Sequence, residues 1–125
     1  MYAHIPGKSL TGYRLSQKYD PMARKRLERF TEKQVSLARF AAAMGHPARI
    51  AIVGVLLEQG EVCCGEITGR IPLAPSTVSQ HLRALCEAGV VGAREEGVRV
   101  CYRLCNDRIR TFCDAMQATL GRRVA

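Results

Sequence analysis

Six cysteines, at positions 63, 64, 86, 101, 105 and 113, have the widest chemical reach in this 125-residue chain. A thiolate is a nucleophile and a ligand for zinc, cadmium, arsenic and antimony. Cys63 and Cys64 are adjacent, so they lack the two-residue spacer of a thioredoxin-like site. Cys101 stands between Arg99 and Arg103, and Cys105 follows four residues later. Positive neighbours lower a thiol's pKa, which makes Cys101 and Cys105 candidates for reactivity. Three readings stay open. Oxidation or metalloid capture can occur at these two thiols, or Cys63, Cys101 or Cys105 can join a partner's thiol in a three-sulfur site. The third reading is plain packing, because cysteine is among the most buried residue types. Cys86, one turn after Leu82, and Cys113, among apolar residues near the C-terminus, read as packing residues.

A second constellation is polar. Between Pro75 and Gly89, Val78, Leu82 and Leu85 fall on one side of a predicted helix, while Ser76, Thr77, Ser79, Gln80, His81 and Arg83 lie on or beside the other. Short hydroxyls and an amide near a helix N-terminus suit base edges in a major groove; His81 and Arg83 suit phosphates. Arg94, Arg99 and Arg103 follow on a predicted hairpin. They are placed to flank a duplex as a wing would. Against this stands a solvated polar face on a protein-interaction module. No Ser-His-Asp or Cys-His arrangement, phosphate-cradling glycine loop or metal-hydrolase signature accompanies these residues, so the chain does not read as an enzyme.

The elements that must hold these groups follow from local signals. Residues 1–19 have no helical or strand period and read as an arm. Asp20-Pro21 is a helix start, and an apolar stripe of Leu27, Phe30, Leu37, Phe40, Ala41 and Met44 runs to Gly45, with a break expected near Thr31. His46-Pro47 opens a second helix with Ile50, Val53 and Leu57, and Ile52 and Leu56 beside them, as its buried side. A third helix is expected from about Val62 to Arg70, and a fourth after Pro75. A hairpin follows: Val90 to Arg94, a turn at Glu95-Glu96-Gly97, then Arg99 to Leu104. In the second strand Val100, Tyr102 and Leu104 alternate with Arg99, Cys101 and Arg103. A last helix from about Asp107 to Leu120 carries Ile109, Phe112, Cys113, Met116 and Leu120 on one side. Nothing in the domain is left to cover that side, so a partner subunit is expected there.

The fold class is therefore mainly α with a β-hairpin wing, a winged helix-turn-helix in the order α-α-α-α-β-β-α. The domain is 20–121, for DNA binding and dimerisation, between the arm at 1–19 and a tail at 122–125. The totals agree. Nineteen basic residues against 11 acidic leave a net charge of +8, which favours a polyanionic partner. Arg24-Lys25-Arg26 with Arg29 add a basic run, either solvated or touching DNA. No apolar run approaches the ~20 residues that cross a bilayer, and the N-terminus lacks the apolar middle of a signal peptide. A cytoplasmic protein with six reduced thiols is expected.

Two segments carry a family resemblance. Gly45-His46-Pro47-Ala48-Arg49-Ile50 resembles the opening of the second helix in the ArsR/SmtB family of metal- and stress-responsive repressors. Ser76-Thr77-Val78-Ser79-Gln80-His81-Leu82-Arg83-Ala84-Leu85, with Glu87-Ala88-Gly89-Val90-Val91 after it, resembles the family's recognition helix and wing entry. Gly97 to Leu104 is similar to the return strand. The resemblance covers about residues 35 to 120. It implies a homodimer built on the first and last helices, bound to double-stranded inverted-repeat operator DNA and released by an inducer. No cofactor is required on this reading. Arsenite, antimonite or another thiophilic metal ion is the candidate inducer, with Cys63, Cys101 and Cys105 as the candidate ligands, and an oxidant is the other candidate. The family's arsenic sensors carry two cysteines separated by one residue on the third helix; here Cys63 meets the first position and Gly65 the second, while Cys64 falls at a core position. The family's zinc pairs on the last helix are not matched either, since Asp107 and Asp114 stand there without histidine. The arm offers only His4. His46 reads as structural, and Arg49 as pairing within the domain or touching a phosphate. The alternative is a winged-helix protein-interaction module with structural cysteines.

Overall fold

Thr31 starts the first described helix by a reciprocal cap. Its hydroxyl accepts from the Gln34 N–H at 3.1 Å, and the Gln34 side chain accepts from the Thr31 N–H at 3.0 Å, satisfying two donors that a helix start leaves open. The second N-cap expected at Thr31 is thus present. A computed structural model describes residues 28–121. The arm at 1–19, the helix start at Asp20-Pro21, the run Arg24-Lys25-Arg26, His4 and the tail at 122–125 lie outside these residues. The elements in chain order are α1 (Glu32–Met44), α2 (Pro47–Gln59), β1 (Glu61–Cys63), α3 (Cys64–Thr68), α4 (Pro75–Glu87), β2 (Val91–Glu96), β3 (Arg99–Leu104) and α5 (Asn106–Leu120).

The helices and the hairpin are those expected, with one addition. Residues 61–63 form a strand where the third helix was expected to begin, and α3 is correspondingly shorter. Three residues are too few to show an alternating pattern. The strand exists because β3 has a second edge to pair, and the sheet order is β1-β3-β2, antiparallel throughout. The wing turn also shifts: β2 runs to Glu96, leaving Gly97 and Val98 as the two-residue loop. Gly97 takes φ +63°, the conformation that the first central position of a tight hairpin turn requires.

The core joins Phe40 and Ala43 of α1, Ile52 and Leu56 of α2, Val62, Ile67, Val78, Leu82 and Leu85 of the helix-turn-helix region, and Val90, Val91 and Leu104 of the wing. The buried side of α2 is Ala48, Ile52 and Leu56. Ile50 and Leu57, expected inside, are exposed. This helix is apolar nearly all round, so its period could not say which side faces α4 and β3; packing chose the side spaced by four. The end of α4 is a Schellman closure, with Gly89 N–H donating to the Cys86 carbonyl and Val90 N–H to that of Leu85. Gly89 sits at φ +80°, and a Cβ there would lie 2.7 Å from the Arg108 guanidinium. This closure turns the chain directly into β2, which fixes the wing against the helix before it.

Helix α5 has no buried residue of its own. Phe112 stacks on Phe40 with ring centroids 4.2 Å apart, which holds α5 to α1. Cys113, expected to pack, is exposed, and so is Leu120. A groove of about 720 Å³ between α1 and α5 is lined by Leu37, Phe40, Phe112 and Ala115 among others. Beyond the Phe40 contact, nothing among the described residues covers this apolar side.

Candidate nucleic-acid interface

Helix α4 is split as its pattern predicts. Val78, Leu82 and Leu85 have no exposed surface. Ser76, Gln80 and Arg83 are exposed, and Thr77, Ser79 and His81 are half-buried at the margin. Burying three large aliphatic side chains contributes roughly 1.5–3 kcal/mol each, enough to hold the rotation of the helix about its axis. The polar residues therefore have a fixed direction, toward whatever lies against the outer face. Pro75 at the first helical position has no N–H to satisfy, and no side chain caps this end.

His81 is held from outside α4. Its Nδ1 accepts a hydrogen bond from Arg49 Nε at 3.1 Å, and Arg49 Nη1 donates to the Ala43 carbonyl at 3.2 Å. Burial, and then the nearby His46 and Arg49, push the His81 pKa below its ordinary value, favouring the neutral ring. Arg49 thus pairs within the domain, one of the two roles its position suggested. His46 caps α2, its Nδ1 accepting from the Ala48 N–H at 3.0 Å, in keeping with a structural role.

The wing arginines are set among carboxylates. Arg94 bonds Glu61 Oε1 at 2.9 Å and Glu96 Oε2 at 2.8 Å. Arg99 lies 3.7 Å from Glu66 on α3. Arg103 stands opposite Glu61 in the β1–β3 register and is exposed. The Arg94 bond holds the Glu61 carboxyl below its usual range. Arg99 and Arg103 remain on the exposed face, whereas Arg94 is chiefly a strap between β2 and β1. Sequence reasoning missed Glu61 and Glu66 as wing partners, because nothing local pairs them with residues more than 30 positions on.

The cysteines divide in a way the sequence did not disclose. Cys63 on β1 and Cys101 on β3 face each other in register and form a disulfide. This corrects the expectation of six reduced thiols. It also corrects the placement of Cys101 on an open arginine face, since its sulfur is bonded to Cys63 and it has no exposed surface. Cys105 does not join them. It lies near Cys86, whose pKa burial and then Cys105 push up to about 12. Burial likewise raises Cys105, outweighing Arg108 and Arg103; the lowering expected from its basic neighbours is overturned by desolvation. The fold does not gather Cys63, Cys101 and Cys105 as three ligands, and among the described residues no group of three His, Cys, Asp or Glu is placed to hold a metal ion. Cys64 and Cys86 pack against the core as expected. No single described helix is long and apolar enough to cross a membrane.

With this geometry in view, the likenesses to known proteins are specific. The model of the bacterial regulatory protein family named arsR matches residues 46–92, which include His46, Arg49, both helices of the helix-turn-helix and the start of β2. The biofilm growth-associated repressor of Agrobacterium fabrum is 32% identical over 87 residues, 70% of this chain and 74% of that one. The transcriptional activator HlyU of Vibrio cholerae is 31% identical over 96 residues, 77% of this chain and 85% of its own length. The solved structure of HlyU from Vibrio cholerae aligns with a TM-score of 0.60 at 26% identity, covering 73% of this chain and 98% of the other. The homodimeric winged helix-turn-helix DNA-binding domain solved by NMR from Mycobacterium bovis aligns with a TM-score of 0.58 at 27% identity, covering 88% and 94%.

Proposed function

Because the chain belongs to the arsR family of bacterial regulatory proteins, we propose that it is a cytoplasmic transcriptional repressor that binds an inverted-repeat operator as a homodimer and releases it on oxidation of Cys63 and Cys101. The observation that carries the DNA reading is the division of α4. Its anchor side is fully buried and its polar side is presented next to a hairpin bearing Arg99 and Arg103. Ser76, Thr77, Ser79 and Gln80 are set to read base edges, with His81, Arg83, Arg99 and Arg103 on the backbone. The net charge of +8 supplies the sequence-independent attraction.

The dimer follows from α1 and α5. The apolar side of α5, left open among the described residues, and the groove beside it are closed by the same surface of a second copy. The two-fold symmetry that results matches two half-sites.

The inducer reading rests on the Cys63–Cys101 pair. Cytoplasmic thiols are kept reduced, so a disulfide there is a transient, signalling state. With hydrogen peroxide, the Cys63 thiolate attacks one peroxide oxygen, forming a sulfenic acid and expelling hydroxide, which takes up the proton the thiol had given up and leaves as water. Cys101 sulfur then displaces the remaining oxygen as a second water, and the two thiols have lost two electrons in all. Strand β1 runs directly into α3, so the bond ties the first helix of the helix-turn-helix to the return strand of the wing. Helix and wing then no longer adjust separately to a groove, and affinity falls. Arsenite, which needs thiolates, competes for the reduced pair only.

The test is a fluorescence-anisotropy titration of the full chain against duplex DNA from upstream of its own gene, reduced and peroxide-treated. Tight, salt-sensitive binding in the reduced state that peroxide abolishes supports the whole reading. Binding that peroxide leaves untouched removes the redox part, and release by arsenite instead identifies a metalloid inducer. Absence of specific binding favours the protein-interaction module.

A further inference from the structure

His46 and His81 come from different elements, the N-cap of α2 and the middle of α4, yet their rings lie 4.3 Å apart, centroid to centroid, tilted by 45°. In each ring Nδ1 is already committed as an acceptor. For His46 the donor is the Ala48 N–H at 3.0 Å; for His81 it is Arg49 Nε–H at 3.1 Å. An accepting Nδ1 carries no proton, so each neutral ring holds its proton on Nε2. Arg49 is itself fixed by its bond to the Ala43 carbonyl at the end of α1. The donor that sets the His81 tautomer is therefore anchored to a third element.

This arrangement discriminates among ligands. A metal ion at Nε2 needs that nitrogen unprotonated, which moves the proton to Nδ1 and sets it against the Ala48 and Arg49 N–H groups. A second proton on the His81 ring creates the same collision and sets a positive charge against that of Arg49. What the arrangement leaves is an N–H donor at Nε2 on each of two touching rings, at the edge of the helix whose other polar residues are those proposed to meet a duplex.

We propose that His81, with His46 beside it, is a neutral hydrogen-bond donor site for an operator backbone phosphate, and that Arg49 is the positioning residue that fixes its tautomer. The inference rests on the DNA-binding reading above and deepens it. Arg49 acts through His81 and does not itself replace a counterion.

The decisive experiment measures operator affinity of the full chain against salt concentration at mildly alkaline pH, for the unaltered protein, His81→Ala, His81→Gln and Arg49→Lys. His81→Ala should weaken binding about tenfold with the salt slope unchanged, because no cation that displaces a counterion has been lost. His81→Gln, whose amide N–H₂ reaches near the Nε2 position, should recover most of the loss. Arg49→Lys keeps the charge but has no Nε–H at that place, and should behave as His81→Ala does. A slope reduced by about one in His81→Ala would mean that the ring binds as a cation, and would overturn the proposal; so would unaltered affinity in that variant while the parent protein binds tightly. Nitrogen-15 NMR of the imidazoles in the unaltered protein reads the tautomers directly, independent of any variant's folding. Unprotonated Nδ1 on both rings supports the proposal, and a protonated Nδ1 on His81 defeats it. Failure of the parent protein to bind duplex DNA would fall on the functional reading instead, with the NMR result standing apart.

Discussion

Arg94 on β2 and Glu61 on β1 are joined at 2.9 Å across the intervening strand β3. The pair straps the edge strand to the wing over the face that holds Cys101. Its carboxyl pKa is depressed by that bond, so its contribution is complete above the ordinary carboxylate value of 4.5 and is lost as pH falls through the lower, folded value. Glu61→Gln should therefore lower the thermal midpoint slightly at neutral pH, and the difference should vanish in strong acid and shrink in molar salt. Thermal unfolding of both proteins across pH checks this; a difference that persists in acid would show that the carboxylate charge is not the cause.

Base reading and backbone attraction separate by mutation. Gln80→Ala should relax discrimination between operator and altered sites by about 1–3 kcal/mol. Arg99→Ala should weaken all duplexes alike and lower the salt slope by about one. Competition titrations with specific and random DNA distinguish the two, and unchanged specificity in Gln80→Ala would remove α4 from the base-reading role.

Redox control predicts a sharper contrast. Cys63→Ser should bind operator with the affinity of the reduced parent protein and should ignore peroxide. Cys113→Ser, at an exposed thiol outside the sheet, should respond as the parent does. Intact-mass measurement should show the peroxide-treated parent lighter by a pair of hydrogens and Cys63→Ser lacking that change.

Dimerisation through α5 predicts that Met116→Glu yields a folded monomer. Met116 is half-buried on the apolar side of α5, which is not fully covered among the described residues, so a charge there opposes association more than folding. Sedimentation equilibrium should give the mass of a single chain, and operator affinity should drop steeply because two half-sites are no longer read together. A variant that remains dimeric would place the interface elsewhere.

By itself the sequence determined the features whose signals are local. Thr31, Pro47, Pro75 and Gly89 mark helix ends by their own cap chemistry. The two-sided pattern of α4 and the alternation of β3 declare which residues are anchored and which are presented. Those signals sufficed for the helix-turn-helix, the wing and the polar residues proposed to meet DNA. Tertiary structure alone decided what depends on contacts between distant segments. It made a strand of residues 61–63, because β3 supplies the edge that three residues cannot form alone. It placed Cys63 on Cys101, Glu61 on Arg94 and His46 on His81, partners more than 30 residues apart. It also turned Ile50 and Leu57 of α2 outward, since a helix apolar on nearly every side carries too weak a period to orient it. A residue's type and spacing state its local conformation; which group it meets is set by how the packed elements close on one another.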